Sequence, residues 1–227
     1  MISKTDIDLF KENKVILLKN VIPADYIKAV LDIGLSIYPE HQSKRKQPKD
    51  FGSPQYWPIM DMYTTKNKTL FDFMTSDLMA EVTKSFLGDT VYLFNEQFVF
   101  KPAGDPYSVK WHTDNSCTSF HQEGLSGKFK AITCVWFLTD HDAESGGIKY
   151  LPKKTKAGID QSDFPDELVE INAQPGDLAI WDGNAYHISG PNTSDRDRHL
   201  WLQVYSTMPL GTDRYHQLFI ENGIKIT

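Results

Sequence analysis

The spacing of apolar positions along the 227-residue chain changes near Gly88, from a helical period to alternation. Before that point, residues 5–12 predict a short helix and Val15–Leu18 a strand. Pro23 in a first turn, followed by Tyr26, Ile27, Val30, Leu31 and Leu35 at helical spacing, predicts a helix ending near Tyr38-Pro39. Leu70, Phe71, Phe73, Met74, Leu78, Met79, Val82 and Phe86 predict one long helix over roughly 69–87, with Gly88 as its C-cap. Beyond Gly88, residues 90–101 alternate as a strand, with Asn95, Gln97, Val99 and Lys101 on one face and Phe94, Phe98 and Phe100 on the other. Further strands are expected over 107–114, 131–139, 148–151, 167–172, 178–181 and 199–205, separated by Gly- and Pro-rich turns. The nearly continuous apolar run over 131–139 marks a central strand. Helices gathered before closely spaced strands predict a mostly β fold, a sandwich or barrel covered by N-terminal helices.

Composition narrows the setting. With 40% apolar and 12% aromatic residues the chain can bury the core of one domain, and nothing in it reads as a repeat or linker. A net charge of −6 weighs against nucleic acid as a partner, because neutralising phosphates needs excess Lys and Arg. Cys117 and Cys134 are the only cysteines and are expected as unpaired thiols of a reducing compartment. Neither a signal peptide nor an apolar run of membrane-spanning length is recognised, so a cytoplasmic protein without a membrane partner is expected. Residues 41–50 are basic and lack apolar anchors, which suits a solvated loop or a lid. The aromatic stretch 54–64, with Tyr56, Trp57, Pro58, Met60, Met62 and Tyr63, suits core packing or a pocket wall.

Two stretches carry candidate chemistry: Trp111-His112-Thr113-Asp114 and Tyr186-His187-Ile188-Ser189-Gly190-Pro191-Asn192. On an extended strand His112 and Asp114 leave the same face, and a later strand returning alongside would bring His187 to them. Two neutral imidazoles and one carboxylate leave about half of an octahedral sphere open, the ligand set of non-haem Fe(II) oxygenases rather than of a closed zinc site. Arg198, shortly after His187, offers a permanently charged planar fork that can hold a carboxylate inside a barrel. Ser189 shares the face of His187 and adds a hydroxyl. Arg196 is expected in solvent, and His121, His141 and His216 as surface or capping residues.

These motifs resemble the phytanoyl-CoA dioxygenase-like (PhyH) branch of Fe(II)/2-oxoglutarate-dependent oxygenases. The matching segments are Trp111 to Asp114, Ala131 to Asp140, Glu144 to Pro152, Pro175-Gly176-Asp177, and His187 to Arg198. The resemblance implies a double-stranded β-helix (jelly-roll) core over about 88–206, with helical and lid elements over 1–88 and a C-terminal extension over 207–227. It implies Fe(II) held by His112, Asp114 and His187, and 2-oxoglutarate held by Arg198 and Ser189 with help from Gln97 or Lys101. Trp136 falls where the family often places an aromatic side chain beside the cosubstrate, a position that also suits an ordinary core tryptophan. O2 would be the co-reactant and ascorbate a supporting reductant. The implied reaction is hydroxylation of a C–H bond in a small-molecule substrate, free or carrier-bound, with succinate and CO2 as products. Lys153-Lys154-Thr155 stands where many relatives continue with Gly-Ser-His, so that turn departs from the family. Asp114 supplies the carboxylate that halogenating relatives lack, which argues against halogenation. A cupin-like metal enzyme that does not use 2-oxoglutarate, and a non-catalytic domain of the same fold, are the alternatives.

Overall fold

The computed structural model describes residues 2–43, 57–60, 67–117, 124, 126–152, 168–209 and 224–227. Helix α1 (Lys4–Asn13) begins at a reciprocal cap, Ser3 Oγ accepting from Asp6 N while the Asp6 carboxylate accepts from Ser3 N. Strand β1 (Val15–Leu18) follows, then α2 (Ala24–Ser43), which runs through Pro39 and so extends past the expected stop. The single helix expected over 69–87 is instead two, α3 (Lys68–Met74) and α4 (Asp77–Leu87). Ser76 divides them: its backbone is extended and its hydroxyl accepts from Met79 N as the N-cap of α4. Gly88 ends α4 with a positive φ of 94°.

The remaining elements are strands: β2 (Trp57–Met60), β3 (Val91–Lys101), β4 (Val109–His112), β5 (Ala131–Phe137), β6 (Ile148–Tyr150), β7 (Val169–Glu170), β8 (Leu178–Asp182), β9 (His187–Ser189), β10 (Arg198–Ser206) and β11 (Ile224–Ile226). They form two antiparallel sheets. The larger has seven strands in the order β1-β8-β5-β10-β3-β11, with β2 also pairing with β3. The smaller has four, in the order β4-β9-β6-β7. The alternation along each strand sends its two faces to different cores. Ile132, Cys134, Trp136 and Leu138 pack with Trp201, Tyr205 and the apolar faces of α1 to α4. Val135, Phe137, Ala179, Trp181 and Leu200 instead meet Ile148 of the smaller sheet. The chain is therefore a jelly roll with helices over the outer face of its larger sheet, as expected. Strand β11 lies within the expected C-terminal extension and closes one side of β3.

Two details of strand facing differ from the expectations. Trp136 is fully buried on the helix side, with ring contacts to Tyr26, Phe73 and Trp201, because its parity in β5 opposes that of Thr133 and Val135. Phe94 leaves the face of Phe98 and Phe100. The β3–β10 register skips it, with Asn95 opposite Val204 and Leu93 opposite Tyr205. This bulge carries Phe94 into a separate cluster with Phe129, Ala131 and Val204. Of the proposed basic lid, 41–43 belong to α2 and 44–50 lie outside the described residues, as do Tyr56, Met62, Tyr63, Lys153 to Thr155, His121 and His216.

Candidate metal and cosubstrate site

Register builds the site. His112 at the end of β4 lies directly opposite His187 at the start of β9, and opposite residues of an antiparallel pair project on the same face. Their rings stand 4.2 Å apart between centroids. The strand expected to run through Asp114 stops at His112. Asp114 begins a short 3-10 turn instead, which swings its carboxylate back between the imidazoles. Asp114 Oδ1 lies 3.6 Å from His187 Nε2 and 3.9 Å from His112 Nε2. One ligand atom from each of the three lies within 4.8 Å of the others, the only such group among the described residues.

The hydrogen bonds around these groups fix which atoms face the centre. His112 Nδ1 lies 2.7 Å from the Lys110 carbonyl and His187 Nδ1 3.0 Å from the Ala185 carbonyl. A carbonyl only accepts, so each Nδ1 carries a proton, and Nε2 of each ring is the nitrogen turned toward Asp114. Burial first, then the neighbouring His187, pulls the pKa of His112 down to about 4 against the pull of Asp114. For Asp114 burial works upward, yet the two histidines and its hydrogen bonds overcome it and keep the carboxyl below its ordinary value. Its second oxygen, Oδ2, accepts from Trp181 Nε1 at 2.7 Å and from Thr133 Oγ1. The donor set is two imidazoles and one anchored carboxylate, which suits Fe(II) in an open facial arrangement.

A second constellation sits deeper in the roll. Lys101 and Arg198 are opposite each other on β3 and β10, and each is at most 1% exposed. Arg198 donates to the Gly146 carbonyl at 2.8 Å and to Ser189 Oγ at 3.3 Å. Lys101 donates to Ser189 Oγ at 3.0 Å, to the Tyr107 carbonyl at 3.2 Å and to the Gly190 carbonyl. The Ser189 hydroxyl itself donates to Gly146 O at 2.9 Å. Burial first, then the Arg198 charge, lowers the pKa of Lys101 to about 6 against the opposing pull of Asp105. A protonated Lys101 beside Arg198 would set two cations side by side in an apolar interior, and a carboxylate between them relieves both their repulsion and their desolvation. Gly146 makes room for this: its φ is +83°, and a Cβ there would lie 2.8 Å from both Gly190 O and Lys101 Cδ.

The structure thus brings His112, Asp114 and His187 together at one point, and Arg198, Ser189 and Lys101 together at another. Gln97 lies on the inner face of β3, half-buried, four residues along the strand from Lys101. Trp136 is on the far side of the sheet and does not approach either group. Arg196 pairs with Asp142 at 2.7 Å and Asp140 at 3.7 Å on the outside. His141 departs from its expected surface role. It is 1% exposed, and its Nε2 accepts from Ile148 N at 3.0 Å. Thr133 and Trp181 were missed because both sit in apolar strands, where only the distant register shows that they meet Asp114.

A family model, phytanoyl-CoA dioxygenase (PhyH), matches residues 10–200. The chain belongs to the PhyH family. Among curated proteins it is similar to dioxygenase af480 of Aspergillus fumigatus, with 30% identity over 159 residues, covering 66% of this chain and 47% of that protein. The chain spans less than half the length of the curated relatives it matches. Solved structures share the fold. The 2-oxoglutarate-dependent carbocyclase SnoK from nogalamycin biosynthesis superposes with a TM-score of 0.81 at 15% identity, covering 99% of this chain and 96% of that one. EctD of S. alaskensis, solved with 2-oxoglutarate and 5-hydroxyectoine, gives 0.75 at 17% identity, covering 93% and 78%. No described helix of this PhyH chain is long and apolar enough to cross a membrane.

Proposed function

We propose that this chain is a non-haem Fe(II) oxygenase that uses 2-oxoglutarate and O2 to hydroxylate a C–H bond of a small-molecule substrate. The carrying observation is one interior that holds both an open His-Asp-His ligand set and a buried Arg198-Lys101-Ser189 cluster. His112, Asp114 and His187 would hold the iron. Bound iron supplies the oxidation, in which 2-oxoglutarate leaves as succinate and CO2 while one oxygen atom enters the substrate. Arg198 supplies a planar fork for the far carboxylate, and Ser189 is held beside it by Lys101 and Gly146. Trp181 and Thr133 keep Asp114 from rotating, so one oxygen stays aimed at the metal position. The apolar cluster of Val99, Val135, Phe137 and Leu200 excludes water between the two groups.

The test is iron-dependent release of succinate from 2-oxoglutarate, followed in His112→Ala and Arg198→Ala variants. His112→Ala is expected to lose metal binding and succinate formation together. Arg198→Ala is expected to keep the metal and weaken 2-oxoglutarate by about a hundredfold, the cost of removing one partner of a buried charged contact. An unchanged 2-oxoglutarate requirement in Arg198→Ala would turn the assignment toward a metal enzyme that uses another co-reactant.

A further inference from the structure

Asn95, next to the bulge in β3, shares a cross-sheet row with the residues that hold Asp114. Asn95 is opposite Val204 of β10, Val204 opposite Thr133 of β5, and Thr133 opposite Trp181 of β8. The last two are the residues that hold Asp114. Asn95 therefore stands two strands from Thr133 in the same cross-sheet row, about 10 Å away between backbones. Its side chain leaves the same face of the sheet as those of Thr133 and Trp181.

Three features separate Asn95 from an ordinary core residue. It is 4% exposed, yet its Oδ1 is buried without any hydrogen-bond partner. A buried carboxamide left unmatched is costly, and its retention needs an explanation such as a ligand. The skipped residue beside it, Phe94, turns to the cluster of Phe129, Ala131 and Val204, with Leu202 and Met208 against it, so an apolar wall adjoins the amide. Lys101 and Arg198 lie six residues further along their strands, about 20 Å from Asn95 and Val204 between backbones, so neither charge stands beside the amide. The next inward-facing polar residue of β3, Gln97, is also a neutral carboxamide.

We infer that Asn95 anchors the substrate, using its amide as paired donor and acceptor for an uncharged hydrogen-bonding group such as a hydroxyl, keto, amide or lactam function. The inference rests on the proposed metal and cosubstrate site and names the class of molecule that site would oxidise: small, neutral at the anchored end and apolar beside it. A carboxylate, phosphate or ammonium at that end would find no opposing charge from Asn95 or Gln97.

The experiment uses the full chain loaded with Mn(II) and saturating 2-oxoglutarate. The readout is metal-induced relaxation of the methyl protons of three probes: N-methylacetamide, acetate and methylammonium. In the wild type N-methylacetamide is expected to relax most strongly. Asn95→Leu is expected to keep Mn(II) and 2-oxoglutarate binding while lowering that relaxation about tenfold, the worth of a lost pair of neutral hydrogen bonds. Asn95→Asp preserves the shape, and is expected to shift the preference from N-methylacetamide to methylammonium. Relaxation of N-methylacetamide that is unchanged in both variants overturns the inference, leaving Asn95 to hold water only. So does acetate relaxing as strongly as N-methylacetamide in the wild type, or Asn95→Leu losing 2-oxoglutarate, which would put the residue on the cosubstrate. Failure of the wild type to bind Mn(II) and 2-oxoglutarate overturns both this inference and the oxygenase assignment beneath it.

Discussion

Trp181 Nε1 donates to Asp114 Oδ2 at 2.7 Å across 67 residues of sequence, and this contact decides which carboxylate oxygen faces the histidines. Thr133 donates to the same oxygen from the neighbouring strand, so Oδ1 is the atom left for the metal position. Trp181→Phe keeps an aromatic ring near His187, which the indole packs against at 5.0 Å, and removes the N–H together with the rest of the five-membered ring. It is expected to fold normally and to weaken Fe(II) or Mn(II) binding by about tenfold or more, as loss of a partner behind a ligand does. Metal titration followed by paramagnetic relaxation checks this, and unchanged affinity would show that Thr133 alone suffices.

The ligands were legible because each lies in a short motif whose chemistry is local: His112 two residues before Asp114, and His187 two before Ser189. Their partners were not, because a hydrogen bond from Trp181 or Thr133 depends on the order β8-β5-β10-β3, which no single segment encodes. The helices were legible from spacing, but the break at Thr75-Ser76 was hidden. Apolar positions continue on both sides of it, while the N-cap at Ser76 reads as an ordinary polar helix position. Trp136 shows the limit of placing a residue by family position. One step of strand parity sends an aromatic side chain to the helices rather than to the cosubstrate.

Lys101 makes cosubstrate affinity depend on pH. With its pKa lowered to about 6, it is charged below that value in the empty site and neutral above it. An anion beside Arg198 favours the charged form and raises that pKa, so binding takes up a proton between the two values. The affinity for 2-oxoglutarate is therefore expected to be flat below about pH 6 and to fall above it, by up to about tenfold per pH unit. Lys101→Met should bind more weakly at pH 6 and lose this slope. Calorimetry in buffers of different ionisation enthalpy measures the proton directly, and no proton uptake by the wild type would contradict the linkage.

Gly146 offers a way to disturb the cosubstrate end without replacing a charged group. Alanine at a φ of +83° is strained by about 1–3 kcal/mol, and its methyl would press on Gly190 O and Lys101 Cδ. The Gly146 carbonyl is also the acceptor shared by Arg198 and Ser189. Gly146→Ala is expected to raise the Kd for 2-oxoglutarate at least about tenfold, the equivalent of 1.4 kcal/mol, while metal affinity stays near the wild-type value. Equal losses of both would point to general unfolding, which a thermal melt resolves.

His199 carries an acid-sensitive cost that lies away from the chemistry. It is 5% exposed, stacks on Phe100 at 4.7 Å with an interplanar angle of 7°, and neither ring nitrogen has a hydrogen-bond partner. Burial chiefly, with Arg198 adding and Asp197 opposing, lowers its pKa from 6.5 to about 4. Because the folded value is depressed, the unfolded chain takes the proton first. The neutral ring leaves stability unaffected above pH 6.5 and costs stability as pH falls from 6.5 to 4, by at most about 3 kcal/mol at 1.36 kcal/mol per unit. His112, lowered to about 4 for its own reasons, adds to the same window in the metal-free protein. His199→Phe preserves the stacking, sacrifices no hydrogen bond and removes the titration. It is expected to raise Tm at pH 5 by several degrees relative to the wild type and by less at pH 7.5, since 1 kcal/mol moves Tm by about 2–4 °C in a chain of this size. A Tm difference that is the same at both pH values would show that the substitution acts through packing alone.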